Sequence, residues 1–173
     1  MSMVPRRFLY LFVDGCGMGS ADPALNPLAG FAAPLRIVLP RSPFVEGPGY
    51  ETERALLVPV EPLLTTPGLP QSATGQTALL TGVDPCPRVG RHISGFPTRT
   101  LAALLKKRSL LRALVRRGFS VTGANAYSRE YFERVRRERH LRFSATTLAI
   151  QAAGIPFRME GELLSGKDRK SVV

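Results

Sequence analysis

The stretch FLYLFVDGCGMGS, residues 8–20, decides the predicted fold. Its first six residues, 8–13, are apolar and β-prone, which is typical of a short strand buried on both faces of a parallel sheet. Asp14 and a glycine-rich turn follow directly, at the end of the strand where open α/β sheets bind their ligands. We therefore expect a parallel sheet with Asp14 at its ligand-binding edge.

The remaining patterns alternate between strands and helices. Residues 20–50 are rich in Pro, Gly and Ala and predict an irregular segment, and residues 84–100 predict a loop. The other predicted elements are strands over 55–64, 119–127 and 155–160 and helices over 73–80, 100–117, 129–142 and 144–153. This order indicates an α/β fold with a mainly parallel sheet.

The composition is that of an ordinary globular protein with an excess of basic charge. The 173 residues are 44% hydrophobic and 21% charged, and the formal net charge is +11. Such an excess favours an anionic partner (nucleic acid, an anionic membrane surface or an anionic substrate), or it forms only a solvated surface. The basic residues concentrate within 99–142 at helical spacing, which favours a solvated helix face.

Cysteine use and hydropathy indicate the compartment. Cys16 and Cys86 form no Cys-x-x-Cys pair and no Cys/His cluster, which argues against a thiolate metal site. The apolar run at 8–13 is too short for a signal peptide, and no stretch reaches transmembrane length. We expect a soluble cytoplasmic protein without a membrane partner.

Two side chains are candidates for chemistry at phosphate. Asp14 is a hard oxygen ligand beside glycines that let a metal or phosphate approach the backbone, although a turn-capping Asp is as good an explanation. The glycine spacing is Gly-x-Gly-x-Gly, which differs from the dinucleotide-binding pattern. Ser72 lies where the helix over 73–80 begins, and a hydroxyl there could attack phosphorus or could simply cap the helix.

Both segments resemble motifs of one family. VDGCGMG (13–19) resembles the opening Asp-Gly motif of cofactor-independent phosphoglycerate mutases and phosphopentomutases. SATGQTALLTG (72–82) resembles the nucleophile segment of the alkaline phosphatase superfamily, in which Ser72 would be the nucleophile. Within that superfamily, GLPQSATGQTALLTG, HISGFPT and NAY resemble a bacterial group described as metalloenzyme-domain proteins. Gln76 stands where the mutases have His, so no catalytic role is assigned to it.

The resemblance implies a fold and a mechanism. The fold would be a partial alkaline-phosphatase-like three-layer sandwich with a mainly parallel sheet, lacking its C-terminal strands. Two divalent cations, Mn²⁺ or Zn²⁺, would bind in the full-length enzyme, and Asp14 and Ser72 would share one of them. Ser72 would take a phosphoryl group from a small phosphorylated substrate and pass it to water, as a phosphatase, or to a second hydroxyl, as a phosphomutase.

The family's remaining metal ligands come in Asp-x-x-x-His and Asp-His patterns, which do not occur after Ser72. We therefore expect residues 1–167 to be the N-terminal portion of one metalloenzyme domain, inactive as a fragment. The last six residues, DRKSVV at 168–173, back-translate into a common sequencing-adapter sequence, so we expect them to be a non-native tail.

Three further residues are candidates for substrate binding. His92 could contact substrate or metal, although a lone loop His is more often a structural hydrogen-bonding residue. Asn125, at the end of a predicted strand, could contact phosphate or stabilise a turn. Arg91 could clamp phosphate oxygens in a bidentate manner, or be an ordinary surface arginine.

A basic nucleic-acid-binding module is the alternative function, with the helix over 129–142 as its contact element. Aromatic residues make up only 8% of the chain and no nucleic-acid-binding motif is present. We therefore favour a small phosphorylated substrate over a nucleic acid, and the nucleic-acid-binding module stays the alternative.

Overall fold

The structure is a computed structural model that describes residues 7–30, 38–138 and 143–161. It divides into two compact units, Met1–Glu61 and Pro62–Val173. The expected tail at 168–173 and residues 139–142 of the predicted basic helix lie outside the described residues. The described elements are helices and short strands, so the fold is mixed α/β, as the sequence predicts.

In the first unit, the paired strands form a short antiparallel hairpin. β1 (Tyr50–Glu51) pairs with β2 (Leu56–Leu57). The Thr52 side chain closes the turn between them, because its hydroxyl accepts a hydrogen bond from the N–H of Ala55 at 3.0 Å. Of the strand predicted over 55–64, only Leu56–Leu57 forms a strand.

Residues 8–13 do not form the predicted buried strand. They lie in neither strand nor helix, and their side chains are exposed, with Phe8 at 83% and Leu11 at 76%. A strand is held by hydrogen bonds to a neighbouring strand, and no strand pairing of the described residues includes this segment. The turn at Asp14 is present, and Gly15 takes the left-handed conformation it needs, with φ 74°.

The second unit is mainly helical. Its helices are α1 (Ser72–Thr81), α2 (Cys86–Val89), α3 (Arg99–Arg108), α4 (Leu110–Arg116), α5 (Arg129–Arg137) and α6 (Ala145–Ala152). The predicted helices over 73–80 and 144–153 are confirmed, because their signals are local. For example, the Ser144 hydroxyl caps α6 by accepting from the N–H of Thr147 at 3.2 Å. The short helix α2 lies within the predicted loop 84–100 and was missed.

Helices α1, α3 and α6 pack against one another and form the core of this unit. The buried apolar side chains at their centre, and the two partly buried leucines against them, are Leu80, Leu105, Ala145, Ala149, Leu111 and Leu148. Because α1 begins at Ser72, this packing fixes the helix that carries the candidate nucleophile.

The single helix predicted over 100–117 is wrong, since the chain breaks at Ser109. This residue is extended, with φ −63° and ψ 140°, and it caps both α3 and α4. Its N–H donates to the Leu105 carbonyl at 3.1 Å, and its hydroxyl accepts from the N–H of Arg112 at 3.2 Å. A serine that bonds neighbouring backbone in this way competes with helix continuation, which leucine periodicity does not reveal.

The strands predicted over 119–127 and 155–160 shorten to β3 (Ala126–Tyr127) and β4 (Arg158–Met159), which pair in parallel. Among the described residues the only other sheet is the antiparallel hairpin, so the mainly parallel sheet of a three-layer sandwich is not seen. A cluster of aromatic rings with centroids 5.1–6.2 Å apart packs beside β3 and consists of Tyr127, Tyr131, Phe132, Phe143 and Phe157.

The described part of the chain contains no helix with the length and apolar character needed to span a membrane.

We expect Leu105→Ala to destabilise the second unit by about 2–5 kcal/mol, since Leu105 is fully buried between α1, α3 and α6 and truncation leaves a cavity. Denaturant unfolding followed by circular dichroism measures this. Leu110→Ala, at a side chain that is 42% exposed, is the matched control and should cost less than about 1 kcal/mol. Equal losses in both variants would contradict the assigned core.

Candidate functional site

The Ser72 side chain stands at the first position of α1. The residue before it, Gln71, is the N-cap, with extended dihedrals of φ −133° and ψ 147°, and its side chain makes no capping hydrogen bond. Ser72 is half-buried and follows the cap, so its hydroxyl does not occupy the N-cap position that the alternative explanation requires.

The loop that contains the HISGFPT motif is bound to the first turn of α1. The Ile93 carbonyl accepts from the N–H groups of Ala73 at 3.1 Å and Thr74 at 3.4 Å. The Ile93 N–H in turn donates to the Thr74 hydroxyl at 3.4 Å. The protein itself therefore uses two of the amide donors at this helix end.

The His92 imidazole joins three segments. Its Nε2 lies 2.9 Å from the Thr66 carbonyl, which can only accept, so Nε2 carries the proton. In the neutral ring Nδ1 is then an acceptor, and the Thr74 hydroxyl at 3.4 Å and the Cys86 thiol at 3.8 Å face it. These contacts give His92 a structural role in orienting the loop, and its role towards substrate stays a prediction.

Cys86 is an unreactive neighbour of this histidine. The thiol is fully buried, and burial raises its pKa. A reactive cysteine needs an accessible thiolate. The Cys86–His92 contact therefore does not form a nucleophilic pair, and Ser72 remains the candidate nucleophile of this region.

Asp84 fixes the segment that leads to Ser72. Its carboxylate accepts from both the hydroxyl and the N–H of Thr65 and from the N–H of Cys86 at 2.8 Å. The Thr65 hydroxyl bond is the main reason that the pKa of Asp84 lies below its ordinary value. The sequence alone does not reveal this role, because the bonds to Thr65 join residues that are 19 positions apart.

An open cleft of about 320 Å³ lies at the start of α1. Its polar lining comes from Gln71, Arg91, His92 and Ser94, and Pro67, Gly68 and Leu69 complete it. The structure thus brings the predicted residues Arg91 and His92 together beside the chain position that precedes Ser72. Arg91 is exposed, so its guanidinium is accessible to an anion from solvent.

The other predicted residues lie elsewhere. Asn125 is exposed and directly precedes β3, and its contact with phosphate stays a prediction. Asp14 is an exposed turn residue of the first unit, whereas Ser72 belongs to the second. Their pairing at one metal stays a prediction from sequence.

Gln76 has a structural contact that sequence analysis did not anticipate. Its side-chain carbonyl accepts from the Thr146 hydroxyl at 3.3 Å and so links α1 to α6. This contact gives a physical reason for a polar side chain in the middle of α1 without a catalytic role.

Within 7–30, 38–138 and 143–161, no group of three or more His, Cys, Asp or Glu side chains is arranged to hold a metal ion. Comparison of the chain with protein-family models, with curated proteins and with solved structures finds no match. The family resemblance therefore depends on the motifs around Asp14 and Ser72.

Proposed function

We propose that this chain is part of a metal-dependent enzyme that transfers phosphoryl groups from a small phosphorylated substrate, as a phosphatase or a phosphomutase, with Ser72 as its nucleophile. The observation that carries the proposal is the position of Ser72. It opens α1 directly after Gln71, which lines an open cleft, in a segment that resembles the nucleophile segment of the alkaline phosphatase superfamily.

The local electrostatics support an anionic substrate. The N-terminus of α1 carries a partial positive charge, and no acidic residue lies in its first turn to neutralise it. Arg91 adds a full positive charge at the cleft and can donate two parallel hydrogen bonds to phosphate oxygens. In this proposal Arg91 and the positive end of α1 attract the phosphate. The Ser72 oxygen attacks phosphorus as the bond from phosphorus to the leaving oxygen breaks, and the hydroxyl proton passes to the released alcohol.

The donor set fits the expected cations only in part. Asp14 and Ser72 offer the hard oxygen ligands that Mn²⁺ and other divalent ions accept. Among the described residues, however, no three His, Cys, Asp or Glu side chains lie close enough together to hold a metal ion. Two divalent cations, when bound, would lower the pKa of the attacking hydroxyl. The steps proposed for Arg91, α1 and Ser72 do not depend on where those cations sit.

The proposal also includes a three-layer sandwich fold and a cytoplasmic location. The parallel register of Ala126 with Arg158 supports a β3–β4 pair that is part of a larger parallel sheet in a three-layer sandwich. The two cysteines are free thiols, which supports a reducing cytoplasm.

Trapping of the covalent intermediate tests the proposed function. The enzyme that contains this chain is incubated with an aryl phosphate and Mn²⁺ and quenched in acid, and its peptides are mapped by mass spectrometry. We expect a phosphoryl adduct on Ser72. An adduct on another side chain, or turnover with no adduct under conditions where one should accumulate, would overturn the assignment.

A further inference from the structure

The surface of α3, α4 and the turn after them is strongly basic. No Asp or Glu occurs between residues 85 and 129. The cations of this α3–α4 basic surface are Arg99, Lys106, Lys107, Arg108, Arg112, Arg116 and Arg117. The two ion pairs found among the described residues both lie at α5 and involve Glu138, so neither neutralises this surface.

The joint at Ser109 concentrates these charges. The last turn of α3 carries Lys106, Lys107 and Arg108, all exposed, and α4 begins two residues later. The Arg112 guanidinium reaches back across the joint and donates to the Lys106 carbonyl. Cations of both helices therefore lie around one bend, and their potentials add.

An exposed aromatic ring follows α4 in the chain. After Arg116 and Arg117 the chain turns at Gly118, whose φ is 82°. The N–H of Phe119 donates to the Leu114 carbonyl at 3.1 Å, a helix-ending bond that fixes the backbone of Phe119. The Phe119 side chain is nevertheless 60% exposed.

We propose that the α3–α4 basic surface binds single-stranded nucleic acid without sequence preference. Lys106, Lys107 and Arg108 contact phosphates of a strand that passes around the bend at Ser109, and Phe119 stacks on a base. Basic side chains that follow the backbone, together with an exposed aromatic ring, are the combination by which proteins hold single strands. This inference is independent of Ser72 and of the proposed phosphoryl transfer.

Other anionic partners and the other basic helix fit less well. The exposed apolar residues of α4, Leu110 and Val115, are five positions apart and so point to different sides of the helix, which gives no continuous apolar face for a lipid surface.

The helix α5, the contact element suggested by sequence, carries Glu130 and Glu133 among its arginines. Its Arg134 and Arg137 lie 3.8 and 3.6 Å from the Glu138 carboxylate, so part of its positive charge is neutralised.

Fluorescence anisotropy with the 173-residue chain and a labelled oligothymidylate of about 20 nucleotides tests the proposal. Each phosphate contact on a single strand contributes a slope of about 0.7 in log K against log salt. The combined variant Lys106→Gln, Lys107→Gln, Arg108→Gln should therefore weaken binding by about 10²-fold at about 0.1 M salt and lower the slope by about 2. Phe119→Leu should weaken binding by about 5-fold or more, by loss of stacking.

The matched control removes three positive charges from α5 instead, in the combined variant Arg134→Gln, Arg136→Gln, Arg137→Gln. This variant should change binding by less than about 3-fold, since these exposed residues lie outside the proposed surface. Equal losses in both triple variants would show attraction to net charge alone and overturn the proposal. So would wild-type chain that binds anionic phospholipid vesicles but not the oligonucleotide. Ultraviolet crosslinking of wild-type chain, which needs no variant, should mark the peptide that contains Phe119, and marking only elsewhere would also overturn it.

Discussion

Replacing Ser72 by alanine should lower the kcat of Mn²⁺-supported aryl phosphate hydrolysis by about 10³-fold or more in the enzyme that contains this chain, because the covalent intermediate can no longer form. KM should change little, since Arg91 and the α1 terminus are intact. Alanine also has high helix propensity, so α1 should survive the change, which circular dichroism can verify.

Two further variants make the measurement specific. Ser72→Thr keeps a hydroxyl at the first position of α1 and should keep measurable turnover. Ser120→Ala, at an exposed serine outside the cleft, should leave the rate unchanged. If Ser72→Ala retained more than about a tenth of the activity, a residue other than Ser72 would be the nucleophile.

The helical part of the second unit could be predicted from sequence because its signals are local. Ser144 before α6 and Gly154 after it are a side-chain cap and a left-handed stop within a few residues of the helix they bound. The break at Ser109 could not be predicted in the same way, because a leucine pattern with helical spacing continues through it. Only the extended backbone conformation of Ser109 shows that this residue ends α3 and caps α4.

The strands depended on distant partners and were predicted less well. Parallel pairing joins Tyr127 to Met159, far apart in sequence, so neither segment can indicate how many residues will pair. At the site, the sequence predicts the start of α1 to within one residue, at Ala73 where the structure has Ser72. The contacts of His92 with Thr66, Thr74 and Cys86 were not predicted, because they join loops whose proximity no periodicity encodes.

Residues 8–13 should make the isolated chain self-associate. They form an uninterrupted apolar segment that is exposed throughout, and in the described part of the first unit no apolar side chain is fully buried. Six- to seven-residue β-prone segments without charge or proline pair readily with copies of themselves. Each exposed Leu, Val or Phe forfeits about 1.5–3 kcal/mol of burial, so association that covers several of them rivals the stability of a small domain.

Size-exclusion chromatography with light scattering measures this self-association. The unaltered chain should elute as high-mass species, and Leu9→Lys with Leu11→Lys should shift it towards monomer, because two charges on one face of the segment oppose strand pairing. Leu69→Lys is the control: its side chain is 79% exposed, but it stands between Gly68 and Pro70 and not in an apolar run, so the change should leave the mass unaltered. A monomeric unaltered chain that melts cooperatively above about 60 °C would show that the segment needs no partner beyond its own chain.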